Sequence, residues 1–515
     1  MKQVVQSVSG GPVRVMDVPR PVIGPTEVLV QTHASVISPG TERAVTALAQ
    51  GGLLAKARAR PDLVRQVVRK ARTEGVGSAA RAVRSRLGED LPLGYSAAGI
   101  AVEVGDHVDG VVPGQLVATG GAGHANHAEF QAVSGLLCVP VPEGVAAADA
   151  AFATVASVAL HGLRLADVEP GSRVVVIGLG LVGQLAVRLA RAAGCEVAAI
   201  DVQDFAVARA KDAGALALRE EGEATTEAVR HWSRGRGADA VILAAATTSS
   251  DVVMRATELA RDRGSLVVVG DIGLDLDRRP FYERELTLRF ARSYGPGRYE
   301  RSYEDWGVDY PPGLVRWTEG RNLEAVLDLL ASGSLRVDDL VTHRFPIDDA
   351  TKAYELVESR AEPYLGIELT YDSSIEPERP IQLRSQGTGG AQGVGFVGAG
   401  AFATTVLLPA FKEAGFDRFV ASASASGLSA TRMAERGGFE RAVSGADAVI
   451  DDPDVGVVVI ATPHDTHAEL AERALKAGKH VWCEKPLALT LEELDRVEAA
   501  ASAGGGVLFV GFNRR

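Results

Sequence analysis

Two stretches of this chain share one pattern of hydrophobic and polar positions. In the first, a short apolar run at 174–177 leads into closely spaced glycines and then into a segment with apolar residues at helical spacing. Such a run is too short for a helix, whereas apolar residues three and four apart are typical of one helix face. The pattern therefore predicts a strand, a tight turn and a helix.

The glycines of this stretch have the spacing of a dinucleotide-binding turn. Gly178, Gly180 and Gly183 stand at G-x-G-x-x-G spacing. Asp201 ends the next apolar run about 20 residues later, where an acid would meet a ribose 2′-hydroxyl. The glycines permit the turn, the approach of a pyrophosphate and close packing, and the helix N-terminus offers free N–H groups. A glycine-rich turn without a ligand is the alternative. The residues predicted to bind NAD in this first module are Gly178, Gly180, Leu181, Val182, Gly183 and Asp201.

Residues 1–150 have a different pattern, with short strands separated by turns. Apolar runs such as EVLVQTHASVIS, AAGIAVEVG and LLCVPVP are rich in Val and Ile and punctuated by Gly or Pro, which is typical of β-rich modules. An insertion at 53–88 interrupts them with helical, strongly basic sequence. A solvated helical face explains these charges, and a clamp for a substrate phosphate or carboxylate is the alternative.

The rest of the chain alternates between strands and helices. Alternation over 151–290 predicts a parallel sheet covered by helices on both faces. Residues 291–371 return to mixed character, and 372–392 are rich in polar residues, Pro and Gly without periodicity, which indicates a linker. Alternation resumes over 393–515. A chain of 515 residues agrees with several domains, since about 150 residues per domain is the usual expectation.

The second stretch repeats the first pattern with a different acid position. Gly398, Gly400 and Ala403 stand at G-x-G-x-x-A spacing after a short apolar run and before a helical one. Serines at 422, 424 and 426 occupy the end of the next strand, where the first module has an acid. Serines tolerate a 2′-phosphate but supply no arginine to attract one, so this module could take NAD or NADP.

Composition and charge restrict the class of protein. Apolar residues make up 46% and charged residues 23%, which is ordinary for a globular protein. The net charge of −12 argues against general binding to nucleic acid or anionic membrane, and no apolar run approaches the length of about 18 residues that a membrane span needs. Cys138, Cys195 and Cys483 are too dispersed for a disulfide framework. We expect a cytoplasmic protein with a small-molecule substrate.

Several motifs in residues 1–371 belong together. LPLGYSAAGIAVEVG, PGQLVA, VVVIGLGLVGQLAVRLA and VTHRFPIDDATKAYELV together resemble the medium-chain dehydrogenase/reductase superfamily. In that superfamily a Rossmann domain interrupts a GroES-like catalytic domain. The resemblance implies a GroES-like domain at 1–150 and 291–371, with the Rossmann domain at 151–290.

The resemblance fails at the metal ligands. Zinc-dependent members carry Cys-Gly-Thr-Asp where this chain has Pro-Gly-Thr-Glu at 39–42, and Gly-His-Glu where it has Gly-Tyr-Ser at 94–96. The four-cysteine lobe of the structural zinc site is also missing from the sequence. Because three protein ligands cannot be assembled from the usual positions, we predict no zinc in either site.

Hydride transfer without a Lewis acid requires hydrogen-bond donors or a base at the reacting oxygen. Thr41 aligns with the family's proton-relay hydroxyl, and Tyr95 takes the place of the zinc histidine, so both are predicted to face the nicotinamide. Glu42, His124 and His127 are further candidates. A turn hydrogen bond for Thr41, filling of the vacated pocket by Tyr95, and capping or packing by the histidines are the alternatives.

A dense polar and aromatic run lies between Arg316 and Asn322 and includes Glu319. It suits a polyhydroxylated substrate, and a salt-bridged helix start is the alternative. The residues predicted to bind substrate are Arg316, Trp317, Arg321 and Asn322.

Motifs in residues 393–515 point to a second family. VGFVGAG, LLPAF, ATPHDTHAELAERALKAGKHVWCEKPLALTLEEL and VGFNRR resemble the glucose-fructose oxidoreductase and inositol dehydrogenase family (Gfo/Idh/MocA). In that family the lysine of Glu-Lys-Pro lies beside nicotinamide and substrate, which implies a catalytic role for Lys485. A solvated surface lysine is the alternative. The resemblance assigns to the cofactor site Thr462, Pro463, His467, Glu484 and Pro486.

Members of this second family continue past Asn-Arg-Arg into a domain that carries the substrate pocket, whereas this sequence ends at Arg515. We therefore expect a second Rossmann module without its substrate domain. An exposed sheet edge or face should then favour homo-oligomerisation or instability.

Together these patterns predict an α/β chain with a GroES-like β-rich domain, a Rossmann domain and a second Rossmann domain. The predicted function is nicotinamide-dependent hydride transfer to or from a sugar, polyol or sugar nucleotide without zinc. Two redox modules in one chain suggest a redox-neutral sequence in which one oxidises and the other reduces. A nucleotide-sensing scaffold without turnover and a conventional zinc-dependent alcohol dehydrogenase are the alternatives.

Overall fold

A computed structural model of the protein describes residues 1–50, 65, 89–372, 374, 381–383 and 393–512. The basic insertion predicted at 53–88 therefore lies outside the described residues, apart from the helical Arg65, as does most of the linker predicted at 372–392.

The chain divides into two compact units. The first consists of Met1–Ile23, Leu48–Leu91 and Ser374–Arg515, and the second of Gly24–Ala47 and Pro92–Ser373. Each unit combines segments that are distant in sequence.

The described strands and helices are numbered in chain order. The strands are β1 Lys2–Ser7, β2 Arg14–Asp17, β3 Glu27–Ile37, β4 Asp90–Pro92, β5 Ser96–Val104, β6 Leu116–Gly120, β7 Phe130–Ser134, β8 Cys138–Pro140, β9 Arg173–Ile177, β10 Glu196–Asp201, β11 Leu216–Arg219, β12 Ala238–Leu243, β13 Ala260–Val268, β14 Thr287–Phe290, β15 Val341–Pro346, β16 Gly366–Thr370, β17 Ile381–Gln382, β18 Gly393–Val397, β19 Phe419–Ser424, β20 Arg441–Ser444, β21 Val455–Ile460, β22 His480–Glu484 and β23 Leu508–Gly511. The α-helices are α1 Pro39–Gln50, α2 Ala147–Ala150, α3 Ala153–Leu165, α4 Leu181–Ala192, α5 Asp204–Asp212, α6 Glu223–Trp232, α7 Asp251–Leu259, α8 Arg278–Glu283, α9 Arg301–Glu304, α10 Glu319–Ala331, α11 Ala350–Ser359, α12 Leu408–Glu413, α13 Leu428–Gly437, α14 Asp447–Ile450, α15 His467–Lys476 and α16 Leu491–Ala503. A π-helix spans Ala403–Leu407, and 3₁₀ helices span Gly135–Leu137, Asp338–Leu340, Ile347–Asp349 and His464–Thr466.

Six parallel strands form the first nucleotide-type sheet, in the order β11-β10-β9-β12-β13-β14. The first strand in sequence, β9, lies at the centre. Strands β10 and β11 lie on one side of it, and β12, β13 and β14 lie on the other. This is the strand order of the doubly wound dinucleotide fold. Consecutive valines of β9 are completely buried, as expected for a parallel sheet covered on both faces. The predicted Rossmann sheet is confirmed.

A largely antiparallel sheet forms the β-rich part of the same unit. Its order is β15-β16-β3-β5-β6-β8, with β7 also paired to β3. The central strand β3 pairs with β16, which follows the Rossmann sheet in sequence, so that Ile367 lies opposite Ile37. The segment after the Rossmann domain thus returns to the sheet that the N-terminal part began, as the superfamily resemblance implies.

The second nucleotide-type sheet has the order β17-β20-β19-β18-β21-β22-β23. Strands β18 to β23 repeat the parallel order of the first sheet, whereas β17 adds an antiparallel edge in which Ile381 lies opposite Ala442. Strand β17 lies within the predicted linker. A two-residue strand carries no periodicity that a sequence pattern could reveal, so this departure from the prediction has a simple cause.

The first strands of the chain belong to the same compact unit as the second Rossmann sheet. They form a three-stranded sheet, β2-β1-β4, and Val5, Met16 and Val18 pack with Leu428 of α13. The sequence prediction placed these strands in the GroES-like domain at 1–150. A packing partner about four hundred residues away leaves no mark on the local pattern of the strands.

Helix α1 is a second departure from the sequence prediction, which expected strands and turns before residue 53. The helix begins at Pro39, which is favourable at the first helical position because proline lacks the N–H that would remain unpaired there. The helix starts two residues after β3 ends. Because the sequence before it has the pattern of a strand, the short apolar stretch of the helix was not recognised as helical.

The end of the second module exposes apolar side chains. Leu491 is 80% exposed, Phe512 60% and Phe509 52%. Whether these side chains form an apolar surface that favours oligomerisation stays a prediction.

The three cysteines are free and buried, in agreement with the expectation of no disulfide framework. Among the helices that the structure describes, none combines the length and the apolar character required to cross a lipid bilayer.

Candidate active site and cofactor-binding turns

The first glycine turn is tightly packed on one side and open on the other. Gly178 has a φ of +91°, and a Cβ there would lie 2.5 Å from the Ala245 nitrogen. A Cβ at Gly183 would lie 1.8 Å from the Gly178 carbonyl oxygen, whereas a Cβ at Gly180 would have no neighbour within 4 Å. Two of the glycines thus permit close backbone packing, and Gly180 leaves open space beside the turn.

Helix α4 begins directly after Gly180, so Leu181, Val182 and Gly183 form its first turn. The backbone N–H groups of a first turn have no partner within the helix and carry the positive end of its dipole. This positive end and the open space at Gly180 together fit the pyrophosphate of a dinucleotide.

Asp201 holds the turn as well as ending β10. Its carboxylate accepts hydrogen bonds from the Leu179 N–H at 2.6 Å and from the Gln203 N–H at 2.9 Å. The side chain remains partly exposed at the carboxyl end of the strand, where an acid meets the ribose in such sheets. The predicted contact with the ribose stays a prediction.

The second glycine turn repeats this arrangement. Gly398 has a φ of +99°, and a Cβ there would lie 2.5 Å from the Ala461 oxygen, whereas a Cβ at Gly400 would have no neighbour within 4 Å. Ala403 is buried where the π-helix begins. The second turn therefore offers the same open approach as the first.

His467 joins the two loops around Lys485. Its Nδ1 lies 2.7 Å from the carbonyl oxygen of Pro486 and its Nε2 lies 3.0 Å from that of Thr462. The ring is buried and both nitrogens contact backbone oxygens, so His467 positions these loops. Lys485 is exposed, and Glu484 before it is buried and accepts a long hydrogen bond of 3.5 Å from the Trp482 indole. Pro463 immediately precedes the 3₁₀ turn that leads to His467.

A buried polar cluster lies in the second unit, which consists of Gly24–Ala47 and Pro92–Ser373. Glu42 of α1 and His127 are both buried, with His127 Nε2 3.1 Å from Glu42 Oε1. Tyr354 of α11 donates a hydrogen bond to the other carboxylate oxygen of Glu42. Ser35 of β3 lies 2.7 Å from His127 Nδ1 and 2.6 Å from the hydroxyl of Tyr371.

The hydrogen bonds of this cluster have one consistent direction when Glu42 is ionised and His127 is neutral. His127 then donates from Nε2 to Glu42 and accepts at Nδ1 from Ser35, and Tyr371 donates to Ser35. Burial, followed by the charge of Glu42, raises the pKa of Tyr354, so its hydroxyl keeps its proton and donates. The result is a continuous path of proton donors and acceptors that ends at Glu42.

Thr41 and Tyr95 lie beside this cluster. The Tyr95 hydroxyl donates to Thr41 Oγ1 at 3.4 Å. Burial raises the pKa of Tyr95, and hydrogen bonds from Ser38 and Thr41 oppose that shift only in part. Tyr95 therefore stays protonated at neutral pH and can donate to a substrate oxygen.

The structure brings together Thr41, Glu42, Tyr95 and His127, four of the five catalytic candidates predicted in the first module. The fifth, His124, is half-buried and packs on the turn at Gly121. Ser35, Tyr354 and Tyr371 were missed by sequence reasoning. They occupy a strand, a helix and a strand end with no motif around them, so only the fold shows that they meet.

Zinc does not fit this cluster. Among the described residues, no group of three or more His, Cys, Asp or Glu side chains is placed to hold a metal ion. Glu42 and His127 supply two such groups, which are bonded to each other, and Pro39 and Tyr95 occupy the positions of the family's cysteine and histidine. A catalytic zinc usually needs three protein ligands.

The residues predicted to bind substrate have structural partners. Arg321 donates to the backbone oxygens of Val315 at 2.6 Å and Tyr310 at 2.9 Å, which fixes the loop before α10. Asn322 is buried and donates to the Tyr294 oxygen at 2.7 Å. Their substrate role stays a prediction.

Trp317 lies between two cations. The guanidinium carbons of Arg164 and Arg316 lie 3.4 Å and 3.8 Å from its ring centroid. Arg316 is exposed and remains accessible to a ligand. Burial, followed by the charge of Arg316, lowers the pKa of Arg164 to about 10.

Glu319, at the start of α10, is completely buried, and neither of its carboxyl oxygens has a hydrogen-bond partner among the described residues. Burial, followed by the nearby charge of Glu304, raises the pKa of Glu319 to about 9. The carboxyl is therefore neutral near pH 7, and burying a neutral carboxyl costs less free energy than burying a carboxylate.

Two family models match the chain. The family described as "Zinc-binding dehydrogenase" matches residues 182–306, and the "Oxidoreductase family, NAD-binding Rossmann fold" matches residues 392–512. The first match begins at Val182, within the first turn of α4, and the second contains the whole second glycine turn.

The first part of the chain has a relative of substantial coverage. It is 30% identical to sorbitol dehydrogenase 2 of Saccharomyces cerevisiae over 304 residues, which are 52% of this chain and 77% of the relative. The alcohol dehydrogenase TADH of Thermus sp. ATN1 shares the fold at 22% identity, with a TM-score of 0.53, over 72% of this chain and 100% of that chain.

The second module is similar to part of another enzyme. It is 49% identical to levoglucosan dehydrogenase of Pseudarthrobacter phenanthrenivorans over 86 residues, which are 17% of this chain and 22% of the relative. The chain thus spans about a fifth of the length of this relative.

The matches agree with the strand orders and glycine turns of both Rossmann sheets. The chain therefore belongs to the medium-chain dehydrogenase/reductase superfamily, carries a second module of the Gfo/Idh/MocA oxidoreductase family, and is a nicotinamide-dependent oxidoreductase of alcohol or carbonyl groups.

Proposed function

We propose that the first module transfers hydride between a nicotinamide cofactor and a hydroxyl- or carbonyl-bearing carbon of a sugar or polyol, and that it does so without zinc. The observation that carries this proposal is the buried chain of proton donors and acceptors at Glu42, three residues after Pro39, which stands where zinc-dependent members have a cysteine. The substrate class is supported by the similarity to sorbitol dehydrogenase 2 and, in the second module, to levoglucosan dehydrogenase.

The cofactor of the first module is NAD in this proposal. The glycine turn and the first turn of α4 would hold its pyrophosphate, and Asp201 would meet its ribose hydroxyls. When bound there, the nicotinamide supplies or accepts the hydride.

Thr41 and Tyr95 hold the reacting oxygen in this mechanism. In the oxidation direction the substrate hydroxyl loses its proton while the carbon loses a hydride, so that a carbonyl forms and both electrons of the C–H bond leave with the hydride. The proton passes along the hydrogen bond from Tyr95 to Thr41 toward Glu42, the proposed base, whose charge acts on Tyr95. Reduction returns the proton from Glu42 to the oxygen along the same path.

Glu42 suits this role because its charge is supported without a metal. His127 and Tyr354 donate hydrogen bonds to its two oxygens, and charge-assisted hydrogen bonds of this kind stabilise an ionised carboxylate. His127 in turn accepts from Ser35, and Ser35 accepts from Tyr371, so the donors of this chain all point toward Glu42 and support its negative charge.

Two matched variants test which module performs the chemistry. Gly180→Val and Gly400→Val each place a side chain in the open space of one glycine turn. With a panel of polyols and sugars, NAD-dependent turnover measured by nicotinamide absorbance should disappear in Gly180→Val and persist in Gly400→Val. The opposite pattern would overturn the assignment. Tight NAD binding with no turnover on any substrate would favour the scaffold alternative.

Glu42→Gln tests the base directly. The amide keeps the shape of the side chain but cannot accept the proton, so kcat should fall by about 10²-fold or more while cofactor binding is retained. Glu143→Gln, an exposed carboxylate of the same unit, is the matched control. Unchanged turnover in Glu42→Gln would contradict the proposed role.

A further inference from the structure

A groove beside the second glycine turn is lined by distant parts of the chain. Ala399 and Ala401 of the turn line it together with Ser429 and Arg432 of α13 and with Glu89, which directly precedes β4. Ala399 and Ala401 flank Gly400, whose open side faces the expected pyrophosphate. Glu89 is the acid among the described residues that line this groove.

We propose that Glu89 takes the place of the acid missing at the end of β19. Its carboxylate accepts hydrogen bonds from the ribose hydroxyls of the adenosine half of the cofactor, so the second module binds NAD(H) in preference to NADP(H). This inference rests on the proposed role of the second module as a cofactor-binding module.

The serines at the end of β19 do not supply this function. Ser422 is completely buried. Ser424 Oγ accepts hydrogen bonds from the Ala430 N–H at 3.1 Å and from the Ser429 hydroxyl at 2.8 Å, so it stabilises the start of α13. In dinucleotide-binding sheets a carboxylate at this strand end selects the unphosphorylated ribose. The groove therefore needs its acid from elsewhere.

The N-terminal segment is fixed against the loop that follows β19. The Val22 N–H donates to the Ala425 oxygen at 2.9 Å, and Ser444 donates to the Arg20 oxygen. Gly427 approaches so closely that a Cβ there would lie 2.1 Å from the Pro19 oxygen. The segment that follows β2 thus lies against the loop after β19, at the end of the sheet where dinucleotide-binding folds hold adenosine.

A backbone hydrogen bond fixes Glu89 at the end of β1. Its carbonyl oxygen accepts the Val8 N–H at 2.7 Å, and β4, which starts at the next residue, belongs to the sheet with β1 and β2. The side chain is half-exposed, so it can reach a ligand in the groove. A carboxylate held by its backbone needs little reorganisation when the ligand binds.

One of the two arginines that line the groove is already paired with an acid. Arg432 lies 3.3 Å from one carboxylate oxygen of Asp90, and the other oxygen of Asp90 lies 2.7 Å from Arg14. Arg432 therefore already has an anionic partner. A 2′-phosphate would bring a charge of about −1.5 to −2 beside Glu89. Arg436 also lines the groove and would attract such a phosphate, so the two cofactors must be compared directly.

Fluorescence titration of the full-length Gly180→Val protein measures the second module, because the first turn is blocked. We expect one NADH site per chain and a Kd for NADPH at least 10-fold higher. Adding Glu89→Gln should raise the Kd for NADH by about 10-fold, because a charge-assisted hydrogen bond contributes roughly this factor, and should reduce the preference over NADPH. Glu498→Gln, an exposed carboxylate of α16, is the matched control.

Three results would overturn the inference: equal NADH affinity in the Glu89→Gln and Glu498→Gln proteins, NADPH binding as tight as NADH binding, or no NADH binding to Gly180→Val. Thermal unfolding without cofactor verifies that Glu89→Gln remains folded, and Glu89→Asp, which keeps the charge, should retain part of the preference for NADH. Turnover of Gly400→Val tests the first module separately, so failure of this inference and failure of the proposed function can be distinguished.

Discussion

A side chain at position 94 has no room beside His127 of the Glu42 cluster. Gly94 has a φ of +94°, and a Cβ there would lie 2.6 Å from the His127 nitrogen and 2.7 Å from the His127 ring. The glycine thus permits His127 to lie beside Tyr95, in reach of Glu42. The cluster depends on a residue that takes no part in its chemistry.

Gly94→Ala should therefore destabilise the protein more than Gly123→Ala. Both positions have a φ of +94°, but a Cβ at Gly123 has no neighbour within 4 Å. Each variant should lose about 1–2 kcal/mol to backbone strain, and Gly94→Ala a further 1–3 kcal/mol to overpacking. Urea unfolding measures the difference. Equal losses in the two proteins would show that His127 does not pack where the structure has it.

The neutral carboxyl of Glu319 predicts a pH dependence of stability. Its pKa is raised from 4.5 to about 9 on folding, so the folded state holds a proton that the unfolded state releases. The contribution of Glu319 to the free energy of unfolding is fully present below about pH 4.5. It falls by about 1.4 kcal/mol per pH unit as the pH rises toward 9.

Glu319→Gln should remove this slope. Urea midpoints measured at pH 5, 7 and 8.5 should fall less with pH in the variant than in the wild-type protein, so the variant gains relative stability at the alkaline end. Glu143→Gln, an exposed carboxylate, should keep the wild-type slope. Parallel curves for all three proteins would mean that Glu319 is ionised in the folded state.

Sequence reasoning located only part of the Glu42 cluster. Thr41 and Tyr95 could be predicted because they align with known positions of a family motif. Tyr354 could not, since it donates to Glu42 from a position 312 residues away. Ser35 and Tyr371 are separated by 336 residues and meet because β16 returns to β3. Contacts between distant segments come from topology, which local patterns do not encode.

Among the elements, the strand–turn–helix units were the most predictable. Gly178 and Gly398 both have positive φ angles, and each turn is followed by a helix, as the glycine spacing required. Helix α1 and strand β17 were not predicted, because neither has an extended hydrophobic period. Elements that contain a motif are therefore recognisable from the sequence, and elements that depend on their neighbours are not.

The glycines of the first turn should separate stability from binding. A Cβ at Gly183 would lie 1.8 Å from the Gly178 oxygen, whereas a Cβ at Gly180 has no neighbour within 4 Å. Gly183→Ala should cost about 1–3 kcal/mol of stability in the absence of cofactor, and Gly180→Ala should cost little but weaken NADH binding. Thermal unfolding and NADH titration of both proteins measure this. Equal stability of the two variants would contradict the close packing of α4 on the turn.

At the scale of the whole molecule, the fold class and the two Rossmann modules were predictable, but the place of the N-terminal strands was not. Residues 1–23 read as the start of a β-rich domain, and they form a compact unit with residues that follow Ser374. Leu428 packs with Val5 and Met16 in this unit. The pattern of a strand shows that it has an apolar face without showing which surface covers that face.

Gly427 tests whether the N-terminal segment is an integral part of this unit. Gly427 and Gly478 have φ angles of +68° and +75°, but only the Cβ at Gly427 would meet a neighbour, the Pro19 oxygen at 2.1 Å. Gly427→Ala should therefore lose about 1–3 kcal/mol more than Gly478→Ala. Removal of residues 1–23 should abolish that difference. A difference that persists without the segment would contradict the packing.

The central claim is that the first module transfers hydride with Glu42 as the base and without zinc. Turnover of the full-length protein after exhaustive chelation, with zinc content measured on the same sample, tests it most directly. We predict undiminished turnover at far less than one zinc per chain. Turnover that disappears with the metal and returns with one equivalent of zinc would contradict the account.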